Sequence, residues 1–119
     1  MQRLMLRSKI HRATVTGTQL HYEGSIALDR NLLEAADLLP GEMVQVLNLN
    51  TGSRLETYVI EAPAGSGAVV LNGPAARTAQ PGDLVIILSS CVVSEEEARH
   101  LQPRIVYVDG QNRPIQVLP

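Results

Sequence analysis

The pair Gly24-Ser25 has the clearest capacity for covalent chemistry in this 119-residue sequence. A serine hydroxyl can attack the carbonyl carbon just before it when that peptide is strained and accessible. A glycine at position 24 would permit backbone angles and close approaches that a Cβ forbids. By itself a glycine-serine pair is most often a plain turn, so this interpretation depends on the residues around it.

Three other side chains are of types that suit an anionic reactant. Arg54 carries a planar guanidinium that can bind a carboxylate through two hydrogen bonds, and Lys9, the only lysine, carries a compact positive charge. Tyr58 carries a phenol, which can serve as a general acid. The alternative for each is structural: a solvated surface charge for the two cations, and a core tyrosine with a satisfied hydroxyl for Tyr58.

The composition predicts one folded domain over residues 1–119 and argues against several protein classes. Hydrophobic residues make up 45% and charged residues 18%, which is typical of a globular protein. A net charge of −2 argues against a protein whose main role is to bind nucleic acid. Nothing near the single cysteine, Cys91, suggests a metal site, and no apolar run reaches bilayer length. We therefore expect no metal, no membrane contact and a cytoplasmic location.

The elements that must position these residues are mainly strands. Short segments rich in Val, Ile and Leu, bounded by Gly, Pro or Asn, are typical of strands. We expect them at about 2–8, 11–20, 26–28, 43–49, 54–62, 68–72, 84–90, 104–109 and 114–118. Thr51-Gly52 and Asp109-Gly110 have the composition of hairpin turns.

A few short helices should separate the strands. Asp29 or Asn31 can cap a helix with an apolar stripe of Leu32, Leu33, Ala36 and Leu39. Ser94 followed by Glu97 is a capping-box pattern, and it predicts a helix that Pro103 stops. Residues 73–80 are expected to form a further helical turn.

Two segments of the chain resemble each other at an offset of 41 residues. The sequence PGEMVQV at 40–46 matches PGDLVII at 81–87. Because Pro-Gly turns before strands are common, the match could be chance. The alternative is a pseudo-symmetric barrel built from two similar halves, in which closure would remove exposed strand edges.

Five blocks of sequence, in order and across nearly the whole chain, resemble the pyruvoyl-dependent L-aspartate α-decarboxylases. The blocks are MLRSKIHR at 5–12, LHYEGSIALD at 20–29, NTGSRLETY at 50–58, NGPAA at 72–76 and GDLVII at 82–87. The second block matches the family's self-processing site, and the third its Asn-Gly-x-Arg-x-x-Thr-Tyr hairpin. A lone Gly-Ser would be weak evidence, whereas five ordered blocks are specific.

The resemblance implies a small double-psi β-barrel that assembles as a homotetramer with active sites between subunits. It also implies self-cleavage between Gly24 and Ser25 into residues 1–24 and residues 25–119. Ser25 would then become a pyruvoyl group, which forms a Schiff base with L-aspartate and accepts electrons as carbon dioxide leaves. The product would be β-alanine, which feeds pantothenate biosynthesis. Whether maturation needs a helper protein stays open at this point.

The resemblance also assigns roles to individual positions. It makes Tyr58 the proton donor in catalysis and Thr57 the residue that hydrogen-bonds the oxyanion during self-cleavage. Supporting positions near the site are His11 and Tyr22, each of which could equally be a structural hydrogen-bonding residue. The implied substrate-binding residues are Lys9, Arg54, Thr57, Asn72, Gly73, Pro74 and Ala75.

Three positions depart from the family pattern, and two alternative functions follow. Ile26 stands where a cysteine is common, Leu47 where an aromatic residue is frequent, and Pro74 lacks an N–H that could contact substrate. These departures leave room for a pyruvoyl enzyme that acts on another acidic amino acid, such as glutamate. A non-catalytic β-barrel oligomer that binds DNA or acts as a scaffold is the other alternative, although the pI of about 5.9 disfavours DNA.

Overall fold

The structure, a computed structural model, describes residues 1–119 and consists mainly of β-strands with a few short helices. This confirms the predicted class. In chain order the elements are β1 (Gln2–Thr14), β2 (Gly17–Gln19), β3 (Ser25–Asp29), α1 (Arg30–Ala36), β4 (Met43–Asn48), β5 (Arg54–Ala62), β6 (Val69–Asn72), a 3-10 helix (Gly73–Thr78), β7 (Leu84–Ser94), α2 (Glu95–His100), β8 (Arg104–Val108) and β9 (Pro114–Leu118).

All nine strands belong to one hydrogen-bonded sheet, in the order β2-β6-β3-β5-β4-β7-β1-β8-β9. Outward from the central antiparallel pair β4–β7, the first three pairings on each side run antiparallel, parallel, antiparallel, and β2 adds a parallel pairing with β6 on one side only. The two halves of the sheet therefore share one plan. The pairing leaves β2 and β9 at the two edges, so the hydrogen-bonded sheet is open rather than closed into a ring.

The predicted internal repeat lies at the centre of this plan. In the first half, the N–H of Gly41 donates to the carbonyl of Val59 at 2.7 Å, and Val59 donates back to the residue after the glycine at 3.0 Å. In the second half, the N–H of Gly82 donates to the carbonyl of Val15 and the N–H of Val15 donates to the carbonyl of Asp83, both at 2.8 Å. Both glycines have left-handed φ angles, 89° and 96°, which disfavour any side chain. The two segments therefore share the same local hydrogen bonding, while the predicted closed barrel stays a prediction.

The core is aliphatic, as a sequence without Phe or Trp requires. Eighteen buried hydrophobic residues form one cluster, and β3 contributes Ile26 and Leu28, both with no exposed surface. Asp29 then caps α1 by accepting a hydrogen bond from the backbone N–H of Asn31 at 2.8 Å. β3 is thus fixed by its core-facing side chains, by pairing with β5 and β6 along its two edges and by the cap at its carboxyl end, which makes its first residue, Ser25, a well-anchored position.

Several predicted boundaries differ from the structure. Segments 2–8 and 11–20 are largely one strand, β1, whose register shifts near Leu6 and again between Ile10 and Ala13, where Arg12 has a φ of 62°. These irregularities gave the sequence the appearance of two strands. Leu39 is 68% exposed and follows α1, so it is not part of the predicted apolar stripe.

The helical turn predicted at 73–80 is present over Gly73–Thr78, and the helix predicted after Ser94 is present over Glu95–His100. The first is a 3-10 helix, and the second has the full capping box between Ser94 and Glu97. The second helix ends at His100, three residues before Pro103, and buries none of its residues. None of the helices combines the length and apolar character needed to cross a bilayer.

Candidate active site

Ser25 begins β3 and is almost completely buried, with 1% of its surface exposed. Its partner on the antiparallel neighbour β6 is Asn72, whose side-chain amide donates to the Ser25 hydroxyl oxygen at 2.9 Å. The hydroxyl donates in turn to the carbonyl of Glu23 at 3.3 Å. The Ser25 oxygen is therefore held in place beside the peptide that precedes it.

Residues 72–74 lie directly against the chain just before Ser25. Gly73 has a φ of 64°, and a Cβ added there would stand 2.8 Å from the carbonyl oxygen of Tyr22 and 2.9 Å from both N and Cα of Gly24. Gly24 itself lies outside the left-handed region, and a Cβ on it would meet only the Pro74 ring carbon, at 3.6 Å. The expectation that Gly24 is needed for a special φ or a close approach is therefore wrong for the uncleaved chain.

A cleft of about 340 Å³ opens beside Gly24. Thr57, with 8% of its surface exposed, is part of the wall. The only ionisable group in the wall is the carboxylate of Glu56, and no cation lines the cleft. The full lining is Gly24, Leu55, Glu56, Thr57, Pro74, Ala75 and Thr78.

The two predicted substrate-binding cations lie elsewhere in the sheet. Arg54 stands opposite Leu47 of β4, and Lys9 stands opposite Leu88 of β7. In the sheet order, three strands separate β1, which carries Lys9, from β3, which carries Ser25. Lys9 has no ion-pair or side-chain hydrogen-bond partner in the chain, and Arg54 has only a 3.4 Å hydrogen bond to Gln45. Both cations are free of carboxylate partners.

Tyr58 is also absent from the cleft wall. Side chains alternate between the two faces of a strand, so Tyr58 points to the opposite face of β5 from the neighbouring Thr57. Thr57 lines the cleft beside Gly24, and so does Glu56 from the strand face that Tyr58 shares with Arg54, but neither Tyr58 nor Arg54 belongs to the cleft wall. A single chain therefore brings together Gly24, Ser25, Thr57 and the 72–75 segment, and it does not bring the predicted proton donor and cations to them.

His11 and Tyr22 occupy different surroundings. The His11 ring contacts Tyr107 edge-on at a centroid distance of 5.5 Å, and its Nδ1 is buried without a hydrogen-bond partner. Burial, and then the charges of Lys9 and Arg12, lower the pKa of His11, which favours a neutral imidazole. The Tyr22 side chain is 55% exposed, and it is the carbonyl of Tyr22 that faces Gly73.

Three residues of the cleft wall were not anticipated: Leu55, Glu56 and Thr78. Leu55 and Glu56 directly precede Thr57, so their proximity could have been inferred once Thr57 was chosen. Thr78 closes the 3-10 helix by donating to the Ala75 carbonyl at 2.7 Å, and no sequence signal marked it. No group of three or more His, Cys, Asp or Glu side chains is arranged to hold a metal ion.

Comparison with known proteins identifies the family of this chain. The family model for aspartate decarboxylase matches residues 1–115. The aspartate 1-decarboxylase of Thermoanaerobacter pseudethanolicus is 51% identical over 117 residues, which cover 98% of this chain and all of the relative. Those of Pelotomaculum thermopropionicum and Dehalococcoides mccartyi are each 58% identical over 113 residues, 95% of this chain and 86% and 91% of the relatives. The chain belongs to the aspartate decarboxylase family.

Proposed function

We propose that this protein cleaves itself between Gly24 and Ser25 and then decarboxylates L-aspartate to β-alanine and carbon dioxide. The observation that carries the proposal is the anchored hydroxyl of Ser25, held by Asn72 beside a peptide whose glycine opens onto a cleft. Decarboxylation of aspartate is the activity for which the relatives are named.

Self-cleavage begins when the Ser25 oxygen bonds to the carbonyl carbon of Gly24. The peptide C–N bond then breaks, and the hydroxyl proton ends on the new amine, which leaves an ester. Loss of the Ser25 α-proton expels Gly24 as a carboxylate, and one water then replaces the nitrogen, which departs as ammonia. The Thr57 hydroxyl lies in the same cleft as Gly24, where it can donate to the oxyanion of the first step.

The residues around Ser25 fit the pyruvoyl group that this reaction would leave. A ketone at residue 25 would start the second chain at the cleft, within reach of the Asn72 amide that now donates to the hydroxyl. When present, that ketone supplies the electron sink for decarboxylation. The protein's own part is to bind aspartate, to orient the bond that breaks and to return a proton.

A second copy of the chain is needed to complete the binding site. Aspartate carries two carboxylates, and the cleft wall has no cation and one acid, Glu56. Lys9 and Arg54 lack carboxylate partners in their own chain, so a neighbouring subunit can present them to the cleft. Tyr58 shares a strand face with Arg54 and would arrive with it as the proton donor. We therefore propose a homotetramer with active sites between subunits.

His11 and Tyr22 keep supporting roles in this proposal. His11 lies two residues from Lys9 and would accompany it to the neighbouring site as a neutral ring. Tyr22 adjoins Gly24 through the backbone, and its exposed side chain is free to contact a second subunit.

For the finer fold we propose a double-psi β-barrel, and the two equivalent glycine turns support it. Each turn leads into one strand of an antiparallel pair and is hydrogen-bonded to the chain of the partner strand. The Gly41 turn, before β4, bonds to Val59 of β5, and the Gly82 turn, before β7, bonds to Val15 just after β1. Two such crossed connections, related by pseudo-symmetry, are the arrangement for which we propose the double-psi description. The support is these hydrogen bonds and the mirrored strand order.

The substrate range is the one aspect for which the chain offers a competing hypothesis. Pro74 lines the cleft, and Leu47 stands directly opposite Arg54, so both departures from the family pattern lie beside groups that would contact substrate. Assays with L-glutamate beside L-aspartate test this, and we expect aspartate to have the higher kcat/KM.

The covalent state of the purified protein tests the proposal. Intact-mass measurement should find two pieces, residues 1–24 ending in a carboxylate and residues 25–119 beginning with a blocked pyruvoyl group. Cleavage of the purified protein alone would also show that no helper protein is required. A folded protein that stays intact through prolonged incubation, both alone and after isolation from cells, would overturn the proposal.

A further inference from the structure

Gly73 differs from the other glycines of the chain in what surrounds it. Six glycines have φ angles in the left-handed region, and for four of them the space around an added Cβ is empty to 4 Å. These four are Gly41, Gly52, Gly65 and Gly82. They serve turns in which only the backbone angle requires glycine.

The remaining two, Gly67 and Gly73, also touch another part of the backbone. A Cβ on Gly67 would stand 2.8 Å from the carbonyl oxygen of Gln111. Gly67 donates to Asp29, at the end of β3 farthest from Ser25, so its contact is remote from the cleft. A Cβ on Gly73 would instead meet three backbone atoms, at 2.8–2.9 Å, all in Tyr22 and Gly24.

The neighbours of Gly73 reinforce that contact. Asn72 pairs with Ser25 in the sheet and donates to its hydroxyl at 2.9 Å. The ring of Pro74 approaches Gly24, with Cδ 3.6 Å from the point where a Cβ would stand. We call residues 72–74 the backing segment. It covers residues 22–25 from one side, and Gly73 is where the two backbones come closest.

We propose that Gly73 is a positioning residue for self-cleavage, because its lack of a side chain lets the backing segment hold the Gly24 carbonyl carbon within reach of the Ser25 oxygen. The inference rests on the self-cleavage proposed above. A Cβ has room at Gly24, the residue before the cleaved bond, but it has none at Gly73. The steric requirement for glycine therefore lies at position 73.

The chemistry explains why the contact matters. In the acyl shift, a bond forms between the Ser25 oxygen and the Gly24 carbonyl carbon while the C–N bond between the two residues breaks. A Cβ at position 73 would force residues 22–24 away from the backing segment, whereas Ser25 would stay with β3 and Asn72. A misplacement of about 1 Å can cost about a hundredfold in rate.

The test compares Gly73→Ala with Gly67→Ala and Gly41→Ala. The Gly67 variant is the matched control, because it also puts a side chain at positive φ and within 2.8 Å of a backbone oxygen, but outside the site. The Gly41 variant carries the φ strain alone. Each purified precursor is incubated well below its Tm, and the cleaved fraction is followed by intact mass.

We expect Gly73→Ala to slow cleavage at least tenfold, while Gly67→Ala lowers the Tm by a similar amount and cleaves within about twofold of the parent, given the dependence of rate on geometry. Cleavage of folded Gly73→Ala at the parent rate would overturn the inference, and so would equal slowing in Gly67→Ala. If the parent itself never cleaves, it is the proposed function that fails.

Pro74→Gly keeps the inference testable if Gly73→Ala does not fold. It removes the ring that approaches Gly24 and frees the backbone angle that proline fixes, without adding any atom. We expect about three- to tenfold slower cleavage, since the backing segment would hold residues 22–24 less rigidly. A Pro74→Gly protein that cleaves at the parent rate would count against the backing segment as a positioning device.

Discussion

The two halves of the sheet carry cations at equivalent places. In the first half Arg54 stands opposite Leu47, and in the second half Lys9 stands opposite Leu88. Leu47 and Leu88 are separated by the same 41 residues as the two Pro-Gly turns. Pseudo-symmetry therefore relates the two predicted carboxylate-binding residues, which suits a substrate with a carboxylate at each end.

The reactive groups are not repeated in this way. Opposite the equivalent residues Val44 and Val85 stand Thr57 in the first half and Ala13 in the second. One position further along the same strands, Tyr58 corresponds to Thr14. The first half alone thus has a threonine in the cleft wall and a tyrosine at the following position of the same strand. The predicted carboxylate-binding cations therefore occur in both halves, whereas the predicted reactive groups occur in the first half alone.

The largest expected effect comes from removing the hydroxyl of Tyr58, which has no equivalent in the second half. Tyr58→Phe removes one hydroxyl and leaves the ring, so self-cleavage should proceed while turnover of aspartate slows. General acid catalysis contributes about 10²- to 10⁴-fold, and we expect kcat to fall within that range. Steady-state kinetics on the cleaved variant measures it. Turnover at the parent rate would move the proton donor elsewhere, and His11 or a bound water would be the next candidate.

Replacing each cation separately by the other type tests whether the two equivalent positions bind carboxylate in the same way. Arg54→Lys keeps the charge but loses the planar fork, so one charge-assisted hydrogen bond of about 1.5–3 kcal/mol is lost and kcat/KM should fall by about ten- to a hundredfold. Lys9→Arg keeps the charge and adds donors, so its effect should be smaller. Both are assayed as cleaved protein with aspartate. Equal losses in the two variants would mean that the fork geometry at Arg54 is not used.

The acids of the two glycine turns offer a third comparison. Glu42 accepts hydrogen bonds from the Leu39 backbone at 3.1 Å and from Arg7 at 2.6 Å. Its equivalent, Asp83, accepts from the Gln80 backbone at 3.1 Å and from the neutral amide of Asn48 at 3.0 Å. The backbone bond that closes the turn is common to both, whereas only one turn adds an ion pair.

The ion pair should make the Glu42 turn sensitive to acid. Burial alone would raise the pKa of Glu42, but hydrogen bonds from Ser89 and Leu39, together with Arg7, outweigh it and lower the pKa. Because the pKa of Glu42 is lower in the folded state, its ionised form stabilises the protein at pH values above its unfolded pKa of about 4.3. This contribution is lost as the pH falls through the folded pKa of Glu42.

Urea unfolding of the uncleavable Ser25→Ala protein between pH 3 and 7 tests this smallest effect. Adding Glu42→Gln should lower the free energy of unfolding at pH 7 by about 1–3 kcal/mol and flatten its fall below about pH 4.5. Adding Asp83→Asn should cost less, because an amide oxygen can still accept both bonds. A larger loss from Asp83→Asn would contradict the ranking of the two turns.

Sequence patterns predicted what is local. The strand at 54–62, the cap at Asp29 and the capping box at Ser94 depend on residues within a few positions of one another, and all are present. The bulged β1 was divided in two because its register shifts break the apolar alternation. Leu39 was assigned to a helix that had already ended, since a stripe in the sequence does not show where the backbone leaves the helix.

The site was predicted less completely, because its decisive contacts join distant segments. The resemblance named Ser25, Thr57 and Asn72, and the fold brings them to one place. The close approach of Gly73 to Gly24 spans about fifty residues and has no local signature. The strand face on which Lys9 and Arg54 lie depends on strand register, which a single sequence does not display.

The central claim is that decarboxylation depends on the cleavage that creates a new N-terminus at residue 25. Freshly prepared precursor, sampled over time, gives the cleaved fraction by intact mass and the β-alanine formed from aspartate by NMR in the same aliquots. We predict that activity rises in proportion to the cleaved fraction, and that Ser25→Ala folds, stays intact and forms no β-alanine. Decarboxylation by the uncleaved chain, or by Ser25→Ala, would contradict the account.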